Sequence, residues 1–246
     1  MRITGTSSSG KRGVARIALI AFACTLCAPG ARGGDGLFTV LVKGNLTTSS
    51  QLFVNPDAAD IVARAESLPL TDFFGVGAEL RYRIPETNIA VGISADYIRA
   101  RTTSSLNAFP RITVPVDDGY TVIPVEVTGY FIIPFSSETF GVYMGGGGGL
   151  YFGERNYRLG NTDAPSRDGK AGFGIHVLGG VSYRFFGPLE VILEMKFRDL
   201  QFDSQNAFSA SPVRYNGTSI NVGTNPFNSR AQTDGIVFQL ALGFSF

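Results

Sequence analysis

The sequence predicts an all-β fold, a single eight-stranded antiparallel up-and-down transmembrane β-barrel. Three observations predict it. Segments with apolar residues at every second position recur along the chain, their connections alternate between short and long, and the last segment keeps this pattern to an aromatic final residue. A period of two indicates strands with one apolar and one polar face. A strand that separates lipid from a polar lumen needs both faces.

The last eleven residues carry the clearest alternation. Their apolar positions share one parity: Ile236, Phe238, Leu240, Leu242, Phe244 and Phe246. An aromatic end in mid-pattern is unusual for a soluble protein, because chain ends sit in water and fray. The segment resembles the C-terminal strand of bacterial outer-membrane β-barrels. That resemblance implies an assembly signal in Phe246, Phe244, Leu242 and Leu240, read by the barrel-assembly machinery.

Eight alternating segments fix the predicted topology. They span approximately residues 37–45, 73–84, 89–99, 120–133, 139–152, 171–186, 188–202 and 233–246. Short links at 85–88, 134–138 and Gly187 alternate with long links at 46–72, 100–119, 153–170 and 203–232. This alternation puts all short turns at one end of the barrel, as in outer-membrane proteins with short periplasmic turns.

Two alternatives concern the long links. Ten strands are the second possibility, because residues 112–116 and 219–222 have β character. Pro115 and Asn221 weaken these two segments, which are more simply read as strand extensions. In the first long link, the charged stretch 57–66 is compatible with one or two helical turns.

The N-terminus has the order of a secretory signal peptide, predicted to cover residues 1–33, with the barrel domain at 34–246. Arg2, Lys11, Arg12 and Arg16 precede an apolar run at 17–28 and then small residues. The run is too short to span a membrane as a helix; a short anchor helix is the alternative. Both cysteines, Cys24 and Cys27, lie in this segment, so the mature chain has no disulfide or thiolate chemistry. Lipid attachment at Cys24 stays open.

Charged residues on the polar faces are predicted to fill the lumen, because eight strands enclose only enough space for side chains. By parity they are Glu79, Arg81, Arg83, Asp96, Glu126, Arg184, Glu190, Glu194, Lys196 and Arg198. Five cations face five carboxylates, which favours mutual pairing since a buried unpaired charge is costly. Arg184 and Glu190 flank Gly187 and are expected to face each other. A polar path for ions or small solutes is the rival interpretation.

Two features of the sequence bear on possible chemical sites. The glycine run at 145–149 lacks the Lys-Ser/Thr and helix of a phosphate-binding loop, so it indicates space for large side chains or barrel curvature. His176, the single histidine, resembles the catalytic histidine of lipid-modifying barrels only weakly, because Leu178 stands where those enzymes carry serine. We expect no catalytic residues, metal or cofactor. A net charge of +1 argues against nucleic-acid binding.

Residues 122–131 and 140–152 resemble the small OmpA/OmpX/OmpW-like outer-membrane β-barrel families. In those families an I-P-V strand leads by a short turn to a glycine-rich strand with aromatic ends. The resemblance implies an outer-membrane location and, as partners, outer-membrane lipid, lipopolysaccharide, the assembly machinery and periplasmic chaperones. We expect a structural or loop-mediated binding role, adhesin-like and without catalysis, with an external ligand at the loops. A narrow pore for small or hydrophobic solutes is the alternative, and a lipid-modifying enzyme is the second.

Overall fold

A computed structural model describes residues 36–246 apart from 110–111, 135–136, 138 and 170. The predicted signal peptide, with Cys24 and Cys27, lies outside these residues. Eight long antiparallel strands form the barrel: β1 (Phe38–Phe53), β2 (Ser67–Arg83), β3 (Ile89–Phe109), β4 (Ile112–Ile132), β5 (Phe140–Leu159), β8 (Ala171–Phe186), β9 (Leu189–Asn206) and β13 (Ile236–Ser245). The shorter elements are α1 (Ile61–Ala65), β6 (Thr162–Ala164), β7 (Ser166–Gly169), β10 (Val213–Tyr215), β11 (Thr218–Ile220) and β12 (Phe227–Thr233).

The sheet closes on itself, which confirms the predicted eight-stranded barrel. Each barrel strand pairs with its neighbour in sequence order, and β13 pairs with both β9 and β1. The closing register runs from Thr39 opposite Ser245 to Thr47 opposite Val237. Towards the long-loop end, β12 takes the place of β13 between β9 and β1, and there Gln51 faces Gln232. A closed ring leaves no free sheet edge.

The two faces of each strand are inverted relative to a soluble protein. Phe173 and Leu240 point outward and are 68% and 56% exposed, whereas Glu126 and Lys196 point inward and are 0% and 1% exposed. Large apolar side chains surround the barrel as a band on all eight barrel strands, from Phe38 and Tyr82 at one end to Tyr97 and Phe152 nearer the other. Such an apolar band around a polar interior is the arrangement of a transmembrane barrel.

Most strands are longer than the alternation predicted. β1 continues to Phe53, and the β3–β4 hairpin takes up most of the predicted loop 100–119. The extra residues lie beyond the apolar band, where exposed side chains such as Arg99, Arg101 and Thr103 are polar. The hydrophobic alternation ends there, although the hydrogen-bonded ladder continues.

The two segments behind the ten-strand alternative have different fates. Residues 112–116 form the start of β4, as an extension. The prediction that residues 219–222 extend a barrel strand is wrong: β11 pairs only with β10, in a separate two-stranded sheet. That hairpin folds over the barrel end, burying Val213 and Ile220.

One helical turn forms in the stretch 57–66, where we expected one or two. Asp60 caps α1, and its carboxylate accepts a hydrogen bond from the Val62 amide at 2.9 Å. No helix within the described ranges is long and apolar enough to cross a membrane.

The glycines of β5 make room for side chains that cross the lumen. A Cβ atom on Gly145 would lie 3.1 Å from Tyr130 Cδ1, and one on Gly149 would lie 2.9 Å from Glu126 Cγ. Both distances are shorter than ordinary van der Waals contact. The Tyr130 ring, the Glu126 side chain and the neighbouring carbonyl oxygens of Gly129 and Val125 therefore occupy the space that larger residues would need.

Three buried apolar clusters divide the interior along the barrel axis. The inner cluster, at the short-turn end, includes Leu41, Tyr130 and Tyr143. The middle cluster, on the long-loop side, includes Tyr120 and Phe202, and the outer cluster joins strand ends to the β10–β11 hairpin. Charged side chains lie between the inner and middle clusters.

Candidate functional site

Eight charged side chains from five strands meet in the lumen and form one connected network. We call this the lumen network: Lys43 on β1, Glu79 and Arg81 on β2, Asp96 on β3, Glu126 on β4, and Glu194, Lys196 and Arg198 on β9. Residues two apart on a strand point to the same face, which aligns the three side chains of β9. Every member is buried except Arg81, which is partly exposed.

The inner half of the network is organised around Arg81. Its Nε and Nη2 donate to Glu79 Oε1 at 3.0 Å and to Glu194 Oε1 at 2.9 Å. Tyr130 donates to Glu79 at 2.6 Å, and Tyr143 donates to Glu194 at 2.7 Å. The guanidinium also lies 3.9 Å from the centre of the Tyr130 ring, a cation–π contact.

The outer half is organised around Glu126. Lys196 Nζ donates to its carboxylate at 2.9 Å, and Arg198 Nε lies 2.9 Å from Oε1. The Tyr151 hydroxyl adds a hydrogen bond of 2.8 Å. Glu126 is therefore held by two cations and a phenol without contact with solvent.

Asp96 and Lys43 join the two halves. Asp96 is 3.1 Å from Arg198 and 3.5 Å from Lys43, and Lys43 is 3.3 Å from Glu79. The contacts thus form one continuous series in which carboxylates and cations alternate: Glu194, Arg81, Glu79, Lys43, Asp96, Arg198, Glu126 and Lys196. Four carboxylates balance four cations, which keeps the buried set neutral.

Seven of the ten predicted lumen residues belong to this network. The other three, Arg83, Arg184 and Glu190, lie at its short-turn end, where both arginines are exposed and Glu190 is half-buried. Arg184 and Glu190 are register partners, as the turn at Gly187 led us to expect. Lys43 was missed, although it lies between Val42 and Gly44 on the polar face of β1 and the same parity rule identifies it.

His176 has a geometry that superficially resembles a catalytic triad. Its Nε2 lies 2.9 Å from the Thr128 hydroxyl, and its Nδ1 lies 3.8 Å from Glu126 Oε1. All three side chains are buried, and Glu126 already contacts Lys196 and Arg198. Thr128 and His176 therefore lie inside the packed interior, beside a carboxylate that is shared with two cations.

A second buried ion pair lies inside the barrel, on the long-loop side of the apolar band. Arg155 donates from Nε and Nη2 to the two oxygens of Asp118 at 2.8 and 2.6 Å, a bidentate pair. The guanidinium lies 4.9 Å from the Tyr157 ring centre and 5.5 Å from that of Phe227. Both residues fall in segments that the sequence placed in loops, and they were missed for that reason.

This pair forms part of the wall of a cavity of about 760 Å³ at the long-loop end, which we call the outer vestibule. Three rings from separate segments line it: Tyr157 lies 5.6 Å from Phe227 and 6.0 Å from Phe208. Leu68, Leu106 and Val222 extend its apolar surface. The structure thus brings Tyr157, Phe208 and Phe227 together. Beside them, the Tyr215 ring packs over Gly160.

The proposed assembly residues form the lipid-facing side of the closing strand. Leu240, Leu242 and Phe246 are exposed and Phe244 is partly covered. The Phe246 ring lies 6.0 Å from that of Phe38, which in turn lies 4.9 Å from Tyr82. These rings form an aromatic patch at the short-turn edge of the band, a common feature of membrane barrels.

A closed eight-stranded ring, an apolar outer band and a charge-filled lumen define the fold of the small outer-membrane β-barrel proteins. Among solved structures, the chain is similar to the outer membrane protein OprG of Pseudomonas aeruginosa, with a TM-score of 0.52, 12% identity and coverage of 85% of this chain and 95% of that one. It is also similar to Neisserial surface protein A, with a TM-score of 0.45, 15% identity and coverage of 87% and 100%. Ail of Yersinia pestis has a TM-score of 0.41, 10% identity and coverage of 85% and 98%. No protein-family model and no curated protein matches the chain.

Proposed function

We propose that this protein is an integral, non-catalytic outer-membrane barrel whose sealed lumen supports an outer vestibule that binds an external ligand. The predicted signal peptide would export it, and the closing strand would direct its assembly. The observation that carries the proposal is the contrast between the two parts of the interior. The lumen network is filled and neutral, whereas the vestibule above it is open and lined with aromatic rings.

The chemistry of the vestibule supports binding. The rings of Tyr157 and Phe227 are partly exposed at its wall, and Arg155 places a cation beside both of them. Aromatic rings with adjacent polar groups are typical of recognition surfaces, because they give contact area at low entropic cost. Sugars and small aromatic molecules are the ligand classes that such a surface accepts.

The membrane part of the proposal is tested with folded protein. Protein from outer-membrane fractions should migrate differently on gels before and after boiling, because a closed barrel resists detergent until it is heated. Recovery of the chain only as a soluble species would contradict the proposal.

The sealed lumen separates binding from transport. In planar bilayers the wild-type protein should give little conductance, because the inner cluster and the lumen network fill the cross-section. Steady, well-defined channels would favour the rival function, a narrow pore for small or hydrophobic solutes.

The binding site is tested by a screen of sugars and small aromatic compounds against the folded barrel, read by thermal stabilisation. A hit should lose its effect in the variant Y157A/F227A and keep it in Phe173→Ala, whose ring faces outward in the apolar band. Equal stabilisation of the two variants by every hit would leave a purely structural envelope role as the better account.

A further inference from the structure

The short-turn end of the barrel holds a second cavity, of about 310 Å³, which the proposed function does not use. Its charged lining consists of Arg81, Arg83, Arg184 and Glu190. Thr39 and Ser182 also line it. Arg81 is already paired with Glu79 and Glu194 in the neutral lumen network, so the remaining charges of this cavity are two cations, Arg83 and Arg184, and one carboxylate, Glu190.

Two of these arginines differ from every cation of the lumen network. Lys43, Arg81, Lys196 and Arg198 each contact at least one carboxylate. Arg83 and Arg184 form no ion pair with any carboxylate of the described residues. Both are exposed to solvent at the mouth.

The topology sets these two arginines against each other. Arg83 ends β2 and Arg184 lies near the end of β8, and three barrel strands separate β2 from β8 in either direction around the ring. The two side chains therefore enter the same cavity from opposite walls. Like charges that converge in this way repel each other, and an anion between them removes the repulsion.

We propose that Arg83 and Arg184 hold a small oxyanion, a phosphate or carboxylate group, across the short-turn mouth. Each guanidinium can donate two parallel hydrogen bonds to such a group. Arg81 forms the floor, where its charge is balanced by Glu79 and Glu194. Glu190 is the register partner of Arg184 and opposes the anion.

A phosphate group can come from a free anion or from a lipid headgroup. The structure favours the free anion, because Arg83 and Arg184 line a cavity inside the ring, with Thr39 and Ser182, rather than the outer surface that contacts lipid. The site lies at the opposite end from the outer vestibule. If the anion site is disproved, the proposed function of the outer vestibule still stands. If the vestibule binds nothing, the anion site still stands.

The test is a calorimetric titration of sodium phosphate into the folded barrel in uncharged detergent. The wild type should bind phosphate saturably. The double variant R83Q/R184Q should bind it at least about tenfold more weakly, since two charge-assisted contacts are lost. Glu190→Gln should bind up to about fivefold more tightly, because it removes a nearby negative charge. Arg158→Gln changes an arginine that is exposed at the long-loop end, and this variant should behave as the wild type.

Heat-dependent gel migration checks that each variant is folded before titration. Absence of saturable binding by the wild type, or equal affinity of the wild type and R83Q/R184Q, would overturn the proposal. Titrations in separate nanodiscs of phosphatidylglycerol and of phosphatidylcholine test whether the bound phosphate group is a free anion or a lipid headgroup. Loss of phosphate binding in the anionic lipid alone would identify the headgroup as the occupant and overturn the assignment to a free anion.

Discussion

Phe38 and Phe246 close the barrel by exchanging two backbone hydrogen bonds. The Phe38 amide donates to the Phe246 carbonyl at 3.1 Å, and the Phe246 amide donates to the Phe38 carbonyl at 2.8 Å. Their rings lie 6.0 Å apart on the lipid-facing side. One residue pair therefore joins the last rung of the closing ladder to the aromatic patch.

Phe246→Ala should lower the amount of folded barrel in the outer membrane, because it removes the ring that anchors the closing strand and the proposed assembly signal. Phe140→Ala is a matched control, since that ring is also exposed at the short-turn end but lies away from the closing seam. Quantitative gels of membrane fractions measure the folded fraction. Equal levels of the two variants would argue against a special role for Phe246.

Replacing both Glu126 and Glu194 by alanine should destabilise the barrel strongly, because the change leaves Lys196, Arg198 and Arg81 with fewer buried partners. Breaking a buried pair by removing one partner costs about 3–5 kcal/mol. Urea unfolding in lipid vesicles measures the change. Glu154→Ala, exposed on the outer wall, is the control, and a double variant as stable as this control would contradict the structural role.

Lys43→Met should also destabilise the barrel, because Glu79 and Asp96 then share fewer cations. Adding Asp96→Asn restores equal numbers of buried charges and should recover part of the loss. We expect a coupling free energy of about 1 kcal/mol in the double-mutant cycle. Strictly additive effects would show that charge balance in the lumen is not what stabilises the network.

Gly149→Ala should reduce folding yield, since its Cβ would collide with the Val125 carbonyl oxygen and would lie 2.9 Å from Glu126 Cγ. Gly129→Ala is the control, because the nearest atom to its added Cβ is the Gly146 carbonyl oxygen at 3.9 Å. Refolding into detergent micelles, followed by gel migration, compares the two. If both variants fold equally well, the strands and side chains around Gly149 adapt and the space argument is wrong.

Trypsin applied to intact cells should cut after Arg64 and Arg167, both exposed at the long-loop end, and spare Arg83 at the short-turn end. The reason is that the long loops are proposed to face outward. Mass spectrometry of the released peptides identifies the cuts. Cleavage after Arg83 with Arg64 intact would invert the topology and remove the external vestibule with it.

The sequence predicted the barrel and most of the lumen network because both depend on parity. Glu126 alternates with Val125 and Val127, so its inward position follows from the pattern alone. Arg155 and Asp118 escaped prediction because outward residues at their level are polar, and a strand without an apolar face looks like a loop. The encounter of Tyr157, Phe208 and Phe227 depends on a loop fold that no local pattern encodes.

The length of the β3–β4 hairpin has a mechanical consequence. Each strand has 21 residues, which at about 3.4 Å per residue and a tilt of about 40° rises about 55 Å along the axis. The apolar band accounts for about 25 Å of this height. In the proposed orientation, the remainder is a hairpin that projects beyond the lipid headgroups, within reach of antibodies and other large molecules that a loop lying flat on the membrane would not meet.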